Sequence, residues 1–326
     1  MKNRAFLGRA VTSIVSLILA VALLTCGIAA LADDSKTVIG SVPIAENLEV
    51  STYKNIPLSG TLAAIDPDGD ALFFALTRAP KKGTAVIEEN GNFVYTPNEN
   101  KKGKDSFSFT VTDAAGNISS DATVSIVIKS QTTDVCYSDL SGTEYEYDAL
   151  CLAENGIYVG ERIGSSYFFS PSSAVTRGEF LSMCMNMCGV DTLNDITKTG
   201  FYDDDSIPMW TKPYVATALM AGIVKGYKDN AGNTVFQPNE PITYSEAVVM
   251  LDKVLNITDV SADIKVFADS CPVWAAQSAA NLSSCNIISK ISSGLLTRGE
   301  AAKMLVGAIN VMENRDSATS PLEFNY

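Results

Sequence analysis

Three short segments of the C-terminal half share one pattern: Val175-Thr-Arg-Gly-Glu179, Ile242-Thr-Tyr-Ser-Glu246 and Leu296-Thr-Arg-Gly-Glu300. In each of them a threonine precedes a glutamate by three residues, and a stretch with the apolar spacing of a helix follows. This is the capping box, in which the threonine hydroxyl accepts from the N3 amide and the glutamate accepts from the amide of the cap. Each segment therefore predicts the start of an amphipathic helix. The capping residues are Thr176, Glu179, Thr243, Glu246, Thr297 and Glu300.

A second predicted helix precedes each capping box and ends at a residue that tolerates the left-handed conformation: Gly156, Gly222 or Asn286. In the first two copies, the loop between the helices closes with an aromatic residue and a proline. One helix-loop-helix unit cannot bury its apolar face alone, whereas three stacked units can. We therefore predict an all-α bundle of three helix-loop-helix repeats. The repeats are assigned to 136–190, 191–259 and 260–312.

This constellation resembles the S-layer homology repeat, whose family motif is Ile-Thr-Arg-Ala-Glu. The resemblance implies a pseudo-threefold bundle whose inter-repeat grooves bind pyruvylated secondary cell-wall polysaccharide, a glycan linked to peptidoglycan. Arg177 and Arg298 stand at the arginine of the motif and are candidate polysaccharide-binding residues. Tyr244, which replaces the arginine in the second repeat, is a further candidate. A pyruvyl ketal presents a carboxylate, which arginine binds bidentately beside a helix N-terminus that also favours anions. The alternative for both arginines is an exposed position at a helix start.

Further candidate binding residues follow from the same resemblance. Gly226-Tyr227 matches the Gly-Tyr of the family and is expected to line a groove. Trp210 and Trp274 are candidates for stacking on sugar rings, with core packing as the favoured alternative. For the threonines and glutamates of the motif we favour capping as the only role. The third repeat lacks the Asp-Gly-x-Phe-x-Pro of the family, so its groove wall is expected to be incomplete.

The N-terminal module, 41–129, carries a different pattern. Short runs rich in β-branched and aromatic residues alternate with turn signals, which favours an all-β sandwich. The runs Ala64-Ile-Asp-Pro-Asp-Gly-Asp-Ala-Leu72, Phe93-Val-Tyr-Thr-Pro97 and Asp105-Ser-Phe-Ser-Phe-Thr-Val-Thr-Asp113 resemble the cadherin-like and Ig-like repeats of bacterial surface proteins. That resemblance implies a spacer or adhesive unit. The predicted fold class is thus multi-domain, with an Ig/cadherin-like sandwich followed by the helical bundle.

One turn of this module is a candidate calcium site. Asp66, Asp68 and Asp70 place carboxylates close together in sequence, and hard cations prefer such oxygen ligands. The turn is not an EF-hand loop, because Ala71 and Thr77 occupy the positions of the required glycine and glutamate. We favour the alternative of a tight turn with solvated acids. No other cofactor is predicted.

The N-terminus predicts export. Basic residues precede an uncharged stretch over 10–32 that ends in Ala30-Leu31-Ala32, the pattern of a cleaved signal peptide at 1–32. The alternative is a retained membrane anchor, because the stretch is long enough to span a bilayer. After cleavage no membrane association is expected. The remaining segments are linkers at 33–40 and 130–135 and a polar tail at 313–326.

Composition excludes several function classes. The chain has a formal net charge of -13, which argues against nucleic-acid binding through a general electrostatic surface. It contains no histidine, which excludes Ser-His-Asp and Cys-His nucleophiles. Six cysteines follow the predicted signal peptide, and disulfides and buried free thiols are both left open. Cys184 and Cys188 share one face of a predicted helix.

Together these patterns favour a non-catalytic, secreted protein of the bacterial cell wall or S-layer. The repeats are expected to anchor it non-covalently to wall polysaccharide, and the sandwich is expected to project outward toward a surface protein or a host ligand. One alternative is a structural protein that assembles an S-layer or envelope lattice. Another, less favoured, is a wall-associated glycan enzyme that works with a pair of carboxylates.

Overall fold

The computed structural model describes residues 40–258, 264–267 and 270–318. The described chain divides into two units. The β-unit comprises the residues up to Asp134 and also 141–147, and the helical unit comprises 135–140 and the residues from Asp148 onward. The predicted signal peptide, 1–32, lies outside the described residues. Among those that are described, no helix has both the length and the apolar character needed to cross a membrane.

The β-unit contains a four-stranded and a three-stranded sheet, in the orders β2-β9-β8-β5 and β3-β7-β6. Strand β2 pairs in parallel with β9, and the other pairs in these sheets are antiparallel. Strands β1 and β4 form a separate antiparallel pair. The strands are β1 (Ile44–Ala45), β2 (Leu48–Tyr53), β3 (Leu58–Thr61), β4 (Ala64–Ile65), β5 (Phe73–Arg78), β6 (Gly83–Ile87), β7 (Asn92–Pro97), β8 (Gly103–Thr112) and β9 (Ala122–Lys129).

Alternating side chains of β7, β8 and β9 form the core of this unit. Phe93 and Phe107, from different sheets, meet edge to face with ring centroids 5.4 Å apart. Asp105 accepts from the Tyr95 hydroxyl at 2.8 Å and from two backbone amides. Burial opposes ionisation of Asp105, but these hydrogen bonds outweigh it and lower its pKa. The predicted β-rich, Ig-like character of the N-terminal module is confirmed.

The C-terminal unit is helical, as predicted, and contains two hairpins that the sequence did not predict. Its elements are α1 (Glu146–Glu154), β10 (Glu161–Ile163), β11 (Ser166–Phe168), α2 (Arg177–Met187), α3 (Lys212–Met220), β12 (Tyr227–Lys228), β13 (Thr234–Val235), α4 (Tyr244–Leu255), α5 (Val273–Ser284) and α6 (Arg298–Ala318). Short 3-10 helices lie at Asp204–Ser206 and Ile264–Phe267. Helix α6 continues to Ala318, beyond the predicted start of the polar tail at 313.

All three Thr-x-x-Glu segments form capping boxes. In α2 and α4 both reciprocal hydrogen bonds are present. In α6, Thr297 Oγ1 accepts from the Glu300 amide at 3.2 Å, and Glu300 Oε2 accepts from the Thr297 amide at 2.9 Å. Each box satisfies two backbone donors that a helix start otherwise leaves unpaired.

The residues just before these boxes join the three segments in a closed ring. The Val175 amide donates to Leu296 O at 3.0 Å, the Leu296 amide to Ile242 O at 2.9 Å, and the Ile242 amide to Val175 O at 2.9 Å. All three residues are fully buried. The three helix starts are therefore held in one fixed arrangement. We call this the central ring.

Cys136, Cys184, Cys188 and Cys271 are free thiols. Burial raises the pKa of the Cys184 thiol well above its ordinary value, with a smaller contribution from Cys188. Burial also raises the pKa of Cys188, to about 11. Of the two alternatives for this pair, the structure adopts the thiol form, in which both residues pack as small apolar side chains.

A buried ion pair holds the loop before α3 against the first turn of that helix. Lys212 Nζ lies 2.6 Å from Asp204 Oδ2 and donates to Thr197 O at 2.9 Å. Asp204 Oδ1 accepts from the Thr199 amide and hydroxyl, both at 2.7 Å. Burial opposes ionisation of Asp204, but the hydrogen bonds from Lys212 and Thr199 outweigh it and lower its pKa to about 2.

Lys212→Met tests this pairing, because it leaves the Asp204 carboxylate without its cation. We expect the free energy of unfolding, measured by urea denaturation, to fall by about 3 kcal/mol at neutral pH. The pKa of folded Asp204 is depressed, so its contribution is complete above the ordinary value of 3.8 and is lost as pH falls toward about 2. The difference between variant and wild type should therefore shrink below about pH 4.

Lys228→Met is the matched control. Lys228 is exposed, and its ammonium group donates to Thr234 Oγ1 at 2.8 Å. We expect this control to change the free energy of unfolding by less than about 0.5 kcal/mol. If Lys212→Met were as stable as Lys228→Met at neutral pH, the anchoring role of the pair would be wrong.

Candidate functional site

The side chain of Arg177 extends from the start of α2 and contacts two residues of the second segment, Tyr227 and Glu246. Its Nη2 donates to Glu246 Oε1 at 2.9 Å. The guanidinium carbon lies 4.3 Å from the centroid of the Tyr227 ring, and the Tyr227 hydroxyl donates to the same Oε1 at 2.9 Å. The Arg177 side chain is only 7% exposed. We call this group of three residues the 177 site.

The charges of the 177 site are well defined. Burial alone would raise the pKa of Glu246, but the amide of Thr243, the Arg177 charge and the Tyr227 hydroxyl together lower it. Burial raises the pKa of Tyr227 to about 12; the Glu246 carboxylate adds to this shift, and Arg177 opposes it. At neutral pH the site therefore holds a cation, a carboxylate and a neutral phenol. The negative face of the Tyr227 ring attracts the guanidinium cation of Arg177, which stabilises their stacking.

Arg298 occupies the equivalent position at the start of α6 and reaches into the first segment. Its Nη1 donates to Glu161 Oε1 at 3.2 Å and to Phe169 O at 3.3 Å, and its Nη2 lies 4.0 Å from Glu179 Oε1. Its guanidinium carbon is 5.7 Å from the centroid of the Tyr158 ring. Arg298, Tyr158, Glu161 and Glu179 form what we call the 298 site.

One feature is common to Arg177 and Arg298. The Nε atom of each is buried and has no hydrogen-bond partner among the residues that the structure describes. A buried donor that lacks an acceptor costs about 1–3 kcal/mol. Such groups are rare in folded proteins and call for a specific reason at each occurrence. Two of them at equivalent positions indicate arginines that are only partly satisfied by the protein.

Tyr244 takes the place of the arginine at the start of α4. Its side chain is buried, and burial together with the nearby charge of Glu300 raises its pKa to about 12. Its backbone amide donates to Gly294 O at 3.0 Å, just as that of Arg177 donates to Glu240 O and that of Arg298 to Ser173 O. Tyr244 and Glu300 are called the 244 site.

The loops that face these helix starts differ in whether they contain a proline. The second amides of α2 and α6, those of Gly178 and Gly299, donate to the prolines of the facing loops, Pro238 and Pro171, each at 2.9 Å. The loop of the third segment, 290–295, has no such proline. The backbone wall at the 244 site is therefore built differently from the other two.

The structure corrects two interpretations of the motif residues. Arg177 is buried, so the alternative of an exposed helix-start residue is wrong for it. Capping as the only role is wrong for Glu246, because its Oε1 pairs with Arg177 while its Oε2 caps the helix. Glu179 likewise caps α2 through Oε2 and turns Oε1 toward Arg298. A carboxylate has two oxygens, which allows both contacts at once.

The tryptophans also differ from the favoured interpretation. Trp210 is 56% exposed and Trp274 is 59% exposed, so core packing is wrong for both. Thr211 and Ala275, the residues that follow them, are fully buried instead. Both indoles are therefore available at the surface for stacking.

Gly226 has a steric role beside Tyr227. Its φ of +73° lies in the left-handed region, and a Cβ there would lie 2.6 Å from Val235 O and 2.5 Å from the Phe201 ring. Only glycine fits, so Gly226 lets β12 begin where Tyr227 can lie against Arg177. The first segment has the same feature at Gly160, where φ is +78° and a Cβ would lie 2.4 Å from Phe168 O.

Sequence reasoning missed Tyr158 and Glu161. The signal that would have found them is Gly160, which precedes hairpin β10–β11 as Gly226 precedes hairpin β12–β13. By this alignment Glu161 corresponds to Tyr227. Hairpin β10–β11 thus supplies Glu161 to the 298 site, and hairpin β12–β13 supplies Tyr227 to the 177 site.

The aspartates of the candidate calcium turn form a local hydrogen-bonded structure. Asp66 Oδ1 accepts from the amides of Asp68 at 2.8 Å and Asp70 at 3.2 Å. In the part of the chain that is described, no three or more metal-ligating side chains are grouped to hold an ion. Calcium binding by Asp66, Asp68 and Asp70 stays a prediction.

Two family models match this chain. Residues 41–127 match the bacterial Ig domain, and residues 200–248 match the S-layer homology domain. The chain carries a bacterial Ig domain and an S-layer homology domain. The S-layer homology match covers α3, hairpin β12–β13 and the start of α4, and so includes Tyr227 and Glu246 of the 177 site.

Curated relatives of the chain are larger proteins. The Surface-layer 125 kDa protein of Lysinibacillus sphaericus is 28% identical over 132 residues, which are 40% of this chain and 11% of that protein. The Middle cell wall protein of Brevibacillus brevis is 27% identical over 146 residues, 44% of this chain and 13% of that protein. An amylopullulanase of Thermoanaerobacterium thermosulfurigenes is 26% identical over 158 residues, 45% of this chain and 8% of that protein. The chain thus spans a small part of each relative's length.

Solved structures show only a distant likeness. The SrpA adhesin of Streptococcus sanguinis has a TM-score of 0.22 and 16% identity, covering 30% of this chain and 66% of that chain. The fibronectin(III)-like modules of Clostridium thermocellum CbhA have a TM-score of 0.20 and 18% identity, covering 27% and 47%. At these scores the likeness carries no information about function.

The pairing inside the 177 site is tested by comparing two glutamates that cap helices, Glu246 and Glu300. Glutamine keeps an acceptor for the helix cap. Glu246→Gln removes the carboxylate that pairs with Arg177, whereas Glu300→Gln changes a residue that faces Tyr244. We expect Glu246→Gln to lower the free energy of unfolding by about 2 kcal/mol more than Glu300→Gln, because hydrogen bonds to charged groups are the stronger ones. Urea denaturation of both variants measures the difference, and equal losses would contradict the pairing.

Proposed function

We propose that this protein is a non-catalytic, secreted component of the bacterial cell surface, held non-covalently to a cell-wall polysaccharide. In this proposal the three segments are three S-layer homology repeats around a pseudo-threefold axis. The central ring supports the arrangement, because each segment donates one backbone hydrogen bond to the next and accepts one from the last. The family match at 200–248 and the relatives with surface-layer and cell-wall names support the location.

The observation that carries the proposal is the pair of partly satisfied arginines. Arg177 and Arg298 each lie against a tyrosine ring, and each keeps a buried Nε that has no acceptor in the described part of the chain. Nε and one Nη of a guanidinium form a fork that fits the two oxygens of a carboxylate. An incoming carboxylate, such as that of a pyruvyl ketal, satisfies this fork. The ligand carboxylate then replaces Glu246 as the partner of Arg177, or Glu161 as the partner of Arg298.

Surface residues extend this proposal to the sugar rings. Trp210 and Trp274 present exposed indoles in the second and third segments. Aromatic rings stack on the apolar faces of sugars, and the indole is the largest such surface in proteins. We propose that the two tryptophans stack on the sugar rings next to the acidic group. Tyr227 orients the guanidinium of Arg177.

The Ig domain has a separate role in this proposal. It is the part displayed away from the wall, as a spacer or as an adhesive unit for a surface protein or host ligand. Its four- and three-stranded sheets enclose a core of aromatic and β-branched side chains, which suits a rigid spacer. Calcium at Asp66, Asp68 and Asp70 belongs to the same proposal.

A pull-down by purified cell-wall sacculi tests the anchor, with the full chain throughout. The variants are Arg177→Gln/Arg298→Gln and the control Arg162→Gln. Arg162 is an exposed arginine of the same unit that also lies over a tyrosine, with 5.6 Å between its guanidinium carbon and the Tyr167 centroid. The walls are used intact and after mild acid has removed the ketal pyruvate.

We expect wild type and Arg162→Gln to sediment with intact walls. The double variant and wild type on depyruvylated walls should lose at least about tenfold in bound protein, which corresponds to 1.4 kcal/mol. Undiminished binding of the double variant would overturn the assignment of the arginines. Wild type that stays in the supernatant with intact walls would overturn the anchor itself.

A further inference from the structure

We infer that the β-unit binds the phosphate groups of a flexible phosphodiester polymer of the cell wall, through the lysines at one end of its two sheets. This inference relies on the proposed function only for the location at the wall. It goes beyond that function because it assigns a ligand to the Ig domain, and the arginine sites of the helical unit take no part in it.

All seven lysines of the described β-unit lie at one end of the sheets. They occupy the β2–β3 turn, the segment before β6, the residues around the start of β8 and the last residue of β9. The Lys54 amide donates to Lys129 O at 2.9 Å, and Lys82 Nζ donates to Lys102 O at 3.0 Å, so these elements meet. We call this group the basic end: Lys54, Lys81, Lys82, Lys101, Lys102, Lys104 and Lys129.

The acids near the basic end do not neutralise it. Asp105 accepts from the Tyr95 hydroxyl and from two backbone amides, and Glu99 accepts from the side-chain amide of Asn100 at 3.2 Å. Segment 141–147 brings two further glutamates to the same unit. Over the described ranges, none of the seven lysines forms an ion pair with a carboxylate. Five of them are exposed, so the basic end is a surface of positive potential.

The opposite end of the same sheets has the reverse charge. It consists of the turn before β5, the β6–β7 turn and the residue after β8, and the Phe74 amide joins the first two by donating to Glu89 O at 3.1 Å. These turns contain no lysine or arginine. An anion is therefore attracted to one end of the β-unit and repelled by the other. The acids are Asp66, Asp68, Asp70, Glu88, Glu89 and Asp113.

The residue type favours phosphate over carboxylate. An ammonium group is a compact point charge that binds phosphate without a fixed orientation, whereas the planar fork of arginine matches a carboxylate. The lysines lie on several separate elements, so a polymer with a charge in every repeat contacts many of them at once and releases its counterions.

A flexible polymer also suits this surface better than a second copy of the protein does. A flexible chain can contact the basic end and avoid the acidic one. A second copy would bring a formal net charge of -13 with it, which opposes association with a chain of equal charge.

Fluorescence anisotropy of an end-labelled poly(glycerol phosphate) tests the inference with the full chain, between about 50 and about 200 mM salt. The lysine variant and its matched control each lose three exposed lysines, from the basic end and from the helical unit respectively: Lys81→Gln/Lys101→Gln/Lys102→Gln and Lys198→Gln/Lys228→Gln/Lys253→Gln. A third protein is Arg177→Gln/Arg298→Gln. Thermal unfolding verifies that each variant is folded, and the single variant Lys101→Glu replaces the lysine variant if it is not.

We expect the matched control and the arginine variant to bind the polymer within about twofold of wild type, because charges beyond a Debye length are screened. The lysine variant should bind at least about tenfold more weakly at the lowest salt. Its plot of log K against log salt should be shallower by about 2, since a flexible strand releases about 0.7 counterion per neutralised phosphate.

A lysine variant that binds as tightly as its matched control would overturn the inference. So would an arginine variant that loses as much affinity as the lysine variant, because the polymer would then lie at the arginine sites. Neither result affects the anchor, which is measured separately by the pull-down on sacculi.

Three further measurements distinguish other ligands of the basic end. We expect weaker binding of a carboxylate polymer of the same length and of duplex DNA; equal affinity for the former would overturn the assignment to phosphate, and tighter binding of the latter would overturn the wall as the source. We expect a monomer in sedimentation velocity without polymer. Salt-dependent oligomers of wild type that the lysine variant does not form would instead assign the basic end to the acidic end of a second copy.

Discussion

Three backbone hydrogen bonds determine how the C-terminal half is organised. Val175, Ile242 and Leu296 each donate to one neighbour and accept from the other, and all three are fully buried. Because the residue after each of them caps a helix, the ring sets the position of three helix starts at once. The side chains that follow the caps, Arg177, Tyr244 and Arg298, then point to the boundaries between segments without any further adjustment.

The same carboxylates stabilise the fold and occupy the site. Glu246 and Glu179 cap their own helices through one oxygen and turn the other toward an arginine of a neighbouring segment. In the proposed function, a ligand carboxylate displaces only the second oxygen of the glutamate from the arginine, and the oxygen that caps the helix keeps its contact. The pairing also makes each site depend on two segments, so an isolated segment has no complete site.

Local patterns in the sequence predicted what local chemistry determines. The sequence predicted the capping boxes, the alternation in Asp105–Asp113 and the change from strands to helices near 130–135, because each depends on neighbours in sequence. It could not predict the partners of Arg177 and Arg298, because these come from other segments and depend on the central ring. The tryptophans were misjudged for a related reason. Hydrophobicity favoured burial of Trp210, but the buried position is that of Thr211, the N-cap of α3, and the indole before it is exposed.

The central claim is that the three segments form one closed unit, and native-state hydrogen exchange tests it most directly. The amides of Val175, Ile242 and Leu296 are each bonded to a different segment, so none can open unless the ring opens. We predict that all three exchange with one common free energy, equal to that of unfolding the helical unit. If the Leu296 amide exchanged about 100-fold faster than the other two under native conditions, the third segment would open by itself and the claim would be wrong.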